Sequence, residues 1–303
     1  MSENAELASL YSAIEESAGL LDIACSRARV WPILTAYGDA VPRAMIAFRV
    51  ATDARHEKEF DCRISLPKDI DPYSRALSEG LITETGHPVG ALLSDIQERC
   101  PIDSYGIDFG VVGGFKKIWV FFPEDDLQKL ASLVGIPSMP RSLEENAGFF
   151  ARHGLEDRVG LIGIDYHART VNVYFGDLPG ACLEPKSILS MHRDIGLPDP
   201  SEQMLKFCEQ AFGIYTTLSW DSPKIKRISF SVITPDPMAL PARLGPKIEQ
   251  FVRSVPYGAD DPKMVHAAVT STGEEYYKLQ SYYRWRPRKV NLMSSVDSAK
   301  DPA

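Results

Sequence analysis

The chain has 303 residues, 44% of them hydrophobic, with a formal net charge of −8. That is enough apolar material for one large or two ordinary cores, and the acidic balance excludes general binding to nucleic acid or to anionic membranes. A functional cluster of Lys and Arg would therefore have to be local and internal. The five cysteines are scattered, with no CxxC pair, which reads as reduced thiols in a cytoplasmic protein with neither disulfide nor zinc. The first 21 residues are acidic and helix-patterned, and no apolar run approaches the roughly 18 residues of a membrane span, so neither a signal peptide nor a membrane anchor is expected.

In chain order, the first predicted element is a helix over Glu3–Arg27, with Leu7, Leu10, Ile14, Ala18 and Leu21 at three and four spacing. A hairpin follows, AMIAFRV with EFDCRIS (44–65). Pro88 opens a helical stretch, GHPVGALLSDIQERC, before a second hairpin, YGIDFGVV with KKIWVFF (105–122). Ser142 and Glu145 form a capping-box pattern ahead of ENAGFFARHG. Three more hairpins are read at VGLIGID with RTVNVYF (159–175), FGIYTTLS with KIKRISFSVI (212–233) and MVHAAVT with EYYKLQSYYRW (264–285). The helices before the last two are opened by Asp199–Pro200 and Pro246. Their turns recur about every 50 to 60 residues, a period of supersecondary size. The expectation is an α+β fold: a ten-stranded antiparallel barrel of five helix-helix-strand-strand units with the helices outside. Residues 1–290 form one domain, and 291–303 read as a disordered tail.

Strand alternation divides each hairpin into two faces. In GGFKKIWVFFP, Lys117, Trp119 and Phe121 share one face, and Lys116, Ile118 and Val120 the other. The same mixture of polar and aromatic residues recurs in Thr170, Asn172 and Tyr174, in Gly213, Tyr215 and Thr217, in Arg227, Ser229 and Ser231, and in Tyr276, Lys278, Gln280, Tyr282 and Arg284. The opposite sets are apolar and suit packing against outer helices. Lys117, Arg227 and Lys278 then face a chamber that an acidic chain would hardly line with cations unless an anion such as diphosphate visits it. No inward His or Glu is expected near these strands. The pairs Asp125–Asp126 and Asp260–Asp261 are not DDxxD, no HExxH is present, and Gly113–Gly114 is a hairpin turn rather than a phosphate loop.

The order of elements, with GLLDIAC, ETGHPV, GGFKK, IPSMP, FFARHGL, VNVYF, LKFC and EEYYKL, resembles the soluble aromatic prenyltransferases of the ABBA or PT-barrel type over nearly the whole chain. It is most similar to those of bacterial secondary metabolism that act on dihydroxynaphthalenes or dihydrophenazine carboxylates. The resemblance implies transfer of a dimethylallyl group from dimethylallyl diphosphate to a small electron-rich aromatic ring by ionisation and Friedel–Crafts attack, with the released proton going to water or diphosphate. It places diphosphate binding on Lys117, Asn172, Tyr215, Lys224, Arg227 and Lys278, and shielding of the prenyl cation on Trp119, Tyr174 and Tyr215. The prenyl and acceptor pocket falls on Phe48, Phe121, Gly160, Leu161, Gly213, Ser231, Val265, Gln280 and Tyr282. Phe48 stands where a relative that takes a ten-carbon donor has valine, which argues for a five-carbon donor. Asp61 matches a magnesium ligand of metal-dependent members and Asp108 a second acid, but Gly110 replaces a third and Arg63 a serine. Arg63 paired with Asp61 would neutralise diphosphate and make magnesium dispensable. Arg63 could also meet a carboxylate on the acceptor, favouring a phenazine-type acid. Three alternatives remain open: geranyl diphosphate as donor, hydrolysis of the allylic diphosphate without transfer, and a non-catalytic barrel carrier of an anionic aromatic metabolite. The protein is expected to act as a monomer.

Overall fold

Five runs of alternating residues, each doubled back at a polar turn, close on themselves in the computed structural model, which describes residues 3–53 and 56–286. The tail assigned to 291–303 lies outside the described residues. The strands are β1 (Ile46–Ala51), β2 (Asp61–Pro67), β3 (Ser104–Gly110), β4 (Gly114–Phe121), β5 (Val159–Asp165), β6 (Thr170–Phe175), β7 (Gly213–Ser219), β8 (Ser222–Thr234), β9 (Lys263–Val269) and β10 (Glu275–Arg284). Each pairs antiparallel with its sequence neighbours, and β1 pairs with β10 through Arg49 opposite Gln280 and Ala51 opposite Lys278. Closure leaves no sheet edge open.

The helices lie outside, as the alternation requires. Two α-helices precede the first, second and fourth hairpins, three precede the third, and one with a 3₁₀ turn precedes the fifth, so the repeat is looser than the expected pairs. The outward residues Ile46, Phe48, Val50, Ile118, Val120, Phe230 and Val265 join Leu10, Ile14, Ile33, Phe150 and Phe251 of the helices in one buried apolar cluster. No helix among the described residues is long and apolar enough to cross a membrane.

Local signals held unevenly. Ser201 caps Glu202–Cys208 by accepting from the Met204 amide at 3.1 Å. Ser142 makes no cap: it is the first residue of its helix, and its hydroxyl donates to the Ser219 carbonyl at 3.0 Å, tying the helix to the end of β7. Gly114 takes φ +74° at the β3–β4 turn, a conformation that favours glycine.

Candidate active site

The two ends of the barrel interior differ in chemistry because the inward residues change along each strand. At one end lie the C-terminal ends of the odd strands and the N-terminal ends of the even ones, around a cavity of about 770 Å³. Arg49, Lys116, Lys117, Lys226, Arg227 and Lys278 line this mouth, together with six carboxylates, Asp53, Glu59, Asp61, Asp108, Asp165 and Glu274. The concentration of positive charge expected from sequence is therefore matched by an equal number of acids.

Pairing resolves which cations remain available. Asp108 is gripped by Arg49 and by Arg63, whose Nε donates at 2.8 Å and Nη2 at 3.2 Å. Burial alone would raise its pKa, but the two guanidiniums outweigh burial and hold the carboxyl well below its ordinary range. Lys116 donates to Asp61 at 2.6 Å and to Glu59 at 3.0 Å, and Lys117 lies 3.2 Å from Asp165. Arg227 and Lys278 have no carboxylate within ion-pair distance among the described residues. Arg227 donates to Thr217 Oγ1 at 3.0 Å, and Thr217 donates onward to Asn172 Oδ1 at 2.9 Å. Burial, and then Arg49 beside it, push the Lys278 amine well below its usual pKa.

Below the mouth lies an aromatic layer. The Tyr174 and Tyr215 rings stack with centroids 4.4 Å apart, and Trp119 meets Tyr174 edge-on at 5.1 Å. Arg63 lies over the Trp119 ring at 4.0 Å, and Arg227 over Tyr215 at 5.8 Å. These π faces already carry cations, the role an allylic cation would ask of them.

At the far end Phe121, Gly160, Leu161, Gly213, Ser231, Gln280 and Tyr282, all expected on the pocket wall, line an apolar inner pocket with Met45, Met264 and His266. Burial pushes the Tyr282 phenol up to about 12. The cavity there has a volume of about 70 Å³, and the flexible side chains of Met45 and Met264 form part of its wall.

Several expectations need correction. Phe48 and Val265 are not pocket residues: strand alternation turns both outward, Phe48 against Phe60, Tyr257 and Tyr283, and Val265 into the helix-facing core. Lys224 is exposed and lines no part of the mouth, because a register shift in the β7–β8 pair brings Lys226 to the cavity instead. Lys116 does not lie outward with Ile118 and Val120. A bulge leaves it without a partner in the β3–β4 ladder, between Lys117 opposite Asp108 and Phe115 opposite Phe109, and it turns to Asp61. Arg63 accordingly pairs with Asp108 rather than Asp61. Asn172 lies behind the mouth and supports Arg227 through Thr217. Sequence reasoning also missed Arg49, an arginine inside an apolar run, and His266, an inward histidine where none was expected.

A closed antiparallel barrel with unpaired cations at one end, stacked aromatics beneath them and an apolar pocket beyond is the architecture of a prenyltransferase barrel. The model of the aromatic prenyltransferase Orf2 family matches residues 5–294. The chain is 62% identical to flaviolin linalyltransferase of Streptomyces virginiae, across 96% of this chain and 97% of that one. It is 48% identical to 5,10-dihydrophenazine-1-carboxylate 9-dimethylallyltransferase of Streptomyces anulatus, across 97% and 99%. The crystal structure of PriB with product diphosphate superposes with a TM-score of 0.53 at 11% identity, covering 92% of this chain and 96% of that one, a likeness of fold. The chain belongs to the aromatic prenyltransferase Orf2 family and is an aromatic prenyltransferase.

Proposed function

We propose that the protein transfers a prenyl group from an allylic diphosphate to a hydroxylated naphthalene-type ring without a metal ion. The observation that carries this is the pair Arg227 and Lys278, half-buried basic side chains that line the mouth with no carboxylate within ion-pair distance among the described residues, Arg227 lying over the Tyr215 ring at 5.8 Å. The diphosphate meets these cations with Lys117 and Lys226 beside them, and charge-assisted hydrogen bonds stabilise it as the allylic C–O bond breaks. The aromatic layer shields the resulting cation from water, and the ring held in the inner pocket attacks it.

Ten carbons is the donor length we favour. Phe48 lies outside the barrel wall and does not shorten the chamber, and the relative at 62% identity is named for linalyl transfer to flaviolin. Dimethylallyl diphosphate with a dihydrophenazine carboxylate is the second reading, supported by the name of the 48% relative. Arg63 lends it less weight than the sequence suggested, since Nε and Nη2 are engaged by Asp108.

Magnesium is dispensable in this reading. It would need Asp61 and Asp108, and their oxygens already hold Lys116, Arg49 and Arg63. The test is incubation with geranyl or dimethylallyl diphosphate and a panel of flaviolin, 1,6-dihydroxynaphthalene and 5,10-dihydrophenazine-1-carboxylate, in EDTA or magnesium, read by mass. Prenylated product in EDTA is the expected result. Product only with magnesium would refute the metal-free reading, and diphosphate release without any prenylated ring would mean hydrolysis rather than transfer.

A further inference from the structure

On the inward face of strand β9 one histidine stands between Met264 and Ala268. His266 is 6% exposed and lines the inner pocket with Trp119, Met264 and Gln280. Its Nδ1 lies 2.7 Å from the hydroxyl of Ser231, its cross-strand partner. Its Nε2 is buried without a hydrogen-bond partner. On the adjacent strand Gln280 donates from Nε2 to the Tyr282 hydroxyl at 2.8 Å, which leaves its own Oε1 buried and unpartnered. Gln280 stands opposite Met264, one inward step from His266, so the two orphan atoms belong to diagonal neighbours on one pocket wall. Buried polar atoms in native proteins are normally satisfied, and two orphans on one wall point to a partner that arrives with the ligand.

We infer that His266 and Gln280 recognise the aromatic acceptor through two of its hydroxyl groups, and that His266 Nε2 takes the proton from one of them during attack. This rests on the transferase reading above. In the tautomer whose Nδ1–H donates to Ser231 Oγ, the one the inference requires, Nε2 carries a lone pair, and Gln280 Oε1 is an acceptor by nature. Two acceptors on a rigid wall complement two O–H donors on a rigid ring. In the transfer step the C–O bond to diphosphate has broken, and a ring carbon forms its bond to the allylic cation. The phenolic O–H electron pair becomes a C=O π bond as Nε2 gains the proton. The dienone then shifts its ring C–H proton to that oxygen and regains aromaticity, and the imidazolium gives its proton to the departing diphosphate.

The surrounding charge sets the order of events. Burial, with Arg49 on β1, Lys278 on β10, Arg63 on β2 and Arg227 on β8, holds the imidazole neutral, well below its usual pKa. Asp108 is committed to Arg49 and Arg63, and on β7 the Tyr215 ring meets the imidazole edge-on at 5.7 Å. A neutral imidazole can accept the first hydrogen bond. A diphosphate bound against Arg227 and Lys278 cancels much of their field, so proton uptake becomes favourable only once the donor is in place.

The test is binding of 1,6-dihydroxynaphthalene and of 1,6-dimethoxynaphthalene in saturating inorganic pyrophosphate, followed by tryptophan fluorescence, in wild type and in His266→Phe. Wild type should prefer the diol by about 10²-fold, roughly tenfold for each satisfied buried hydrogen bond, and His266→Phe should keep only the roughly tenfold share of Gln280. His266→Gln, which keeps an acceptor atom but is no base, should retain the preference and lose about 10²-fold in kcat. It also carries the reading if the phenylalanine variant fails to bind pyrophosphate. An undiminished diol preference in His266→Phe, or full kcat in His266→Gln, would overturn the inference. A reduced preference in a protein that prenylates no acceptor would instead refute the transferase reading and leave the recognition role standing.

Discussion

Trp119 rests its indole on bare backbone, which makes Gly163→Ala a sharp test of the aromatic layer. Gly163 faces Trp119 across the β4–β5 pair. A Cβ built there would lie 2.7 Å from Cζ3, whereas ordinary contact begins at 3.4 Å, so the ring must retreat by the difference, about 0.7 Å. Retreat is obstructed. Trp119 is fully buried, with Arg63 4.0 Å from its ring centroid and Tyr174 at 5.1 Å. Overpacking of this kind costs about 1–3 kcal/mol, which for a chain of this size lowers Tm by roughly 2–10 °C. The larger effect should be on catalysis, because misplacing a positioned group by about 1 Å can cost about 10²-fold. Thermal unfolding and steady-state prenylation would both be measured, together with Trp119→Phe and the double variant. The smaller ring should make room for the methyl, so the double variant should be more stable than the sum of the single effects by at least about 1 kcal/mol. Strict additivity, or a Gly163→Ala protein with unchanged Tm and kcat, would refute the packing argument.

Other outcomes follow from the charges at the mouth. Lys278→Met should weaken inorganic pyrophosphate binding by at least about tenfold, measured by calorimetry. Because burial and Arg49 depress the Lys278 pKa in the free protein, and an anion would raise it, pyrophosphate binding should take up protons and weaken as pH rises through the free-state pKa. Titration in buffers of different ionisation enthalpy reads this directly. Lys224→Ala should leave pyrophosphate affinity unchanged while Lys226→Ala lowers it a few-fold, since both are exposed but only Lys226, which also pairs with Asp221 at 3.0 Å, lines the mouth. Asp108→Asn should destabilise by about 3–5 kcal/mol, since it leaves two buried guanidiniums unpaired. The wild-type contribution of Asp108, whose folded pKa is depressed, is complete above the unfolded carboxyl pKa and is lost as pH falls towards the folded value, so the denaturant midpoints of the two proteins should converge in acid.

The barrel was legible because its signal is repeated. Five runs such as RTVNVYF and KRISFSV each state the same inward and outward division, and their spacing leaves room only for outer helices. Lys117, Arg227, Lys278, Trp119, Tyr174 and Tyr215 were legible for the same reason, lying in regular stretches of strand. Errors fell where regularity broke. The bulge at Asp108–Phe109 reversed Lys116, and the register shift beyond Thr217 exchanged Lys226 for Lys224. No single-strand pattern contains these, because a bulge is a property of the pair. Phe48 and Val265 were different: alternation already placed both outward, and the resemblance to relatives overrode a correct local signal. Arg49 and His266 were readable by the same rule, as one polar residue on the inward face of otherwise apolar strands.

Net charge alone would not identify the mouth as an anion site, since its six basic residues meet six carboxylates. What distinguishes the site is how unevenly pairing is distributed. Lys116 answers Asp61 and Glu59, Lys117 answers Asp165, and Arg49 and Arg63 share Asp108, so four of the six carboxylates are committed to cations on β1, β2 and β4. Arg227 and Lys278 stand on β8 and β10 with no carboxylate within ion-pair distance among the described residues, Arg227 held by Thr217 and by Asn172 behind it. A half-buried cation without an ion-pair partner is costly in proportion to its burial unless a ligand completes it. Pairing keeps the first set of side chains rigid when the site is empty, and the unpaired cations supply the attraction. In the proposed reading a diphosphate would be drawn towards β8 and β10, which would set its leaving-group oxygen on the Tyr215 side of the aromatic layer and release the allylic carbon over the stacked tyrosines.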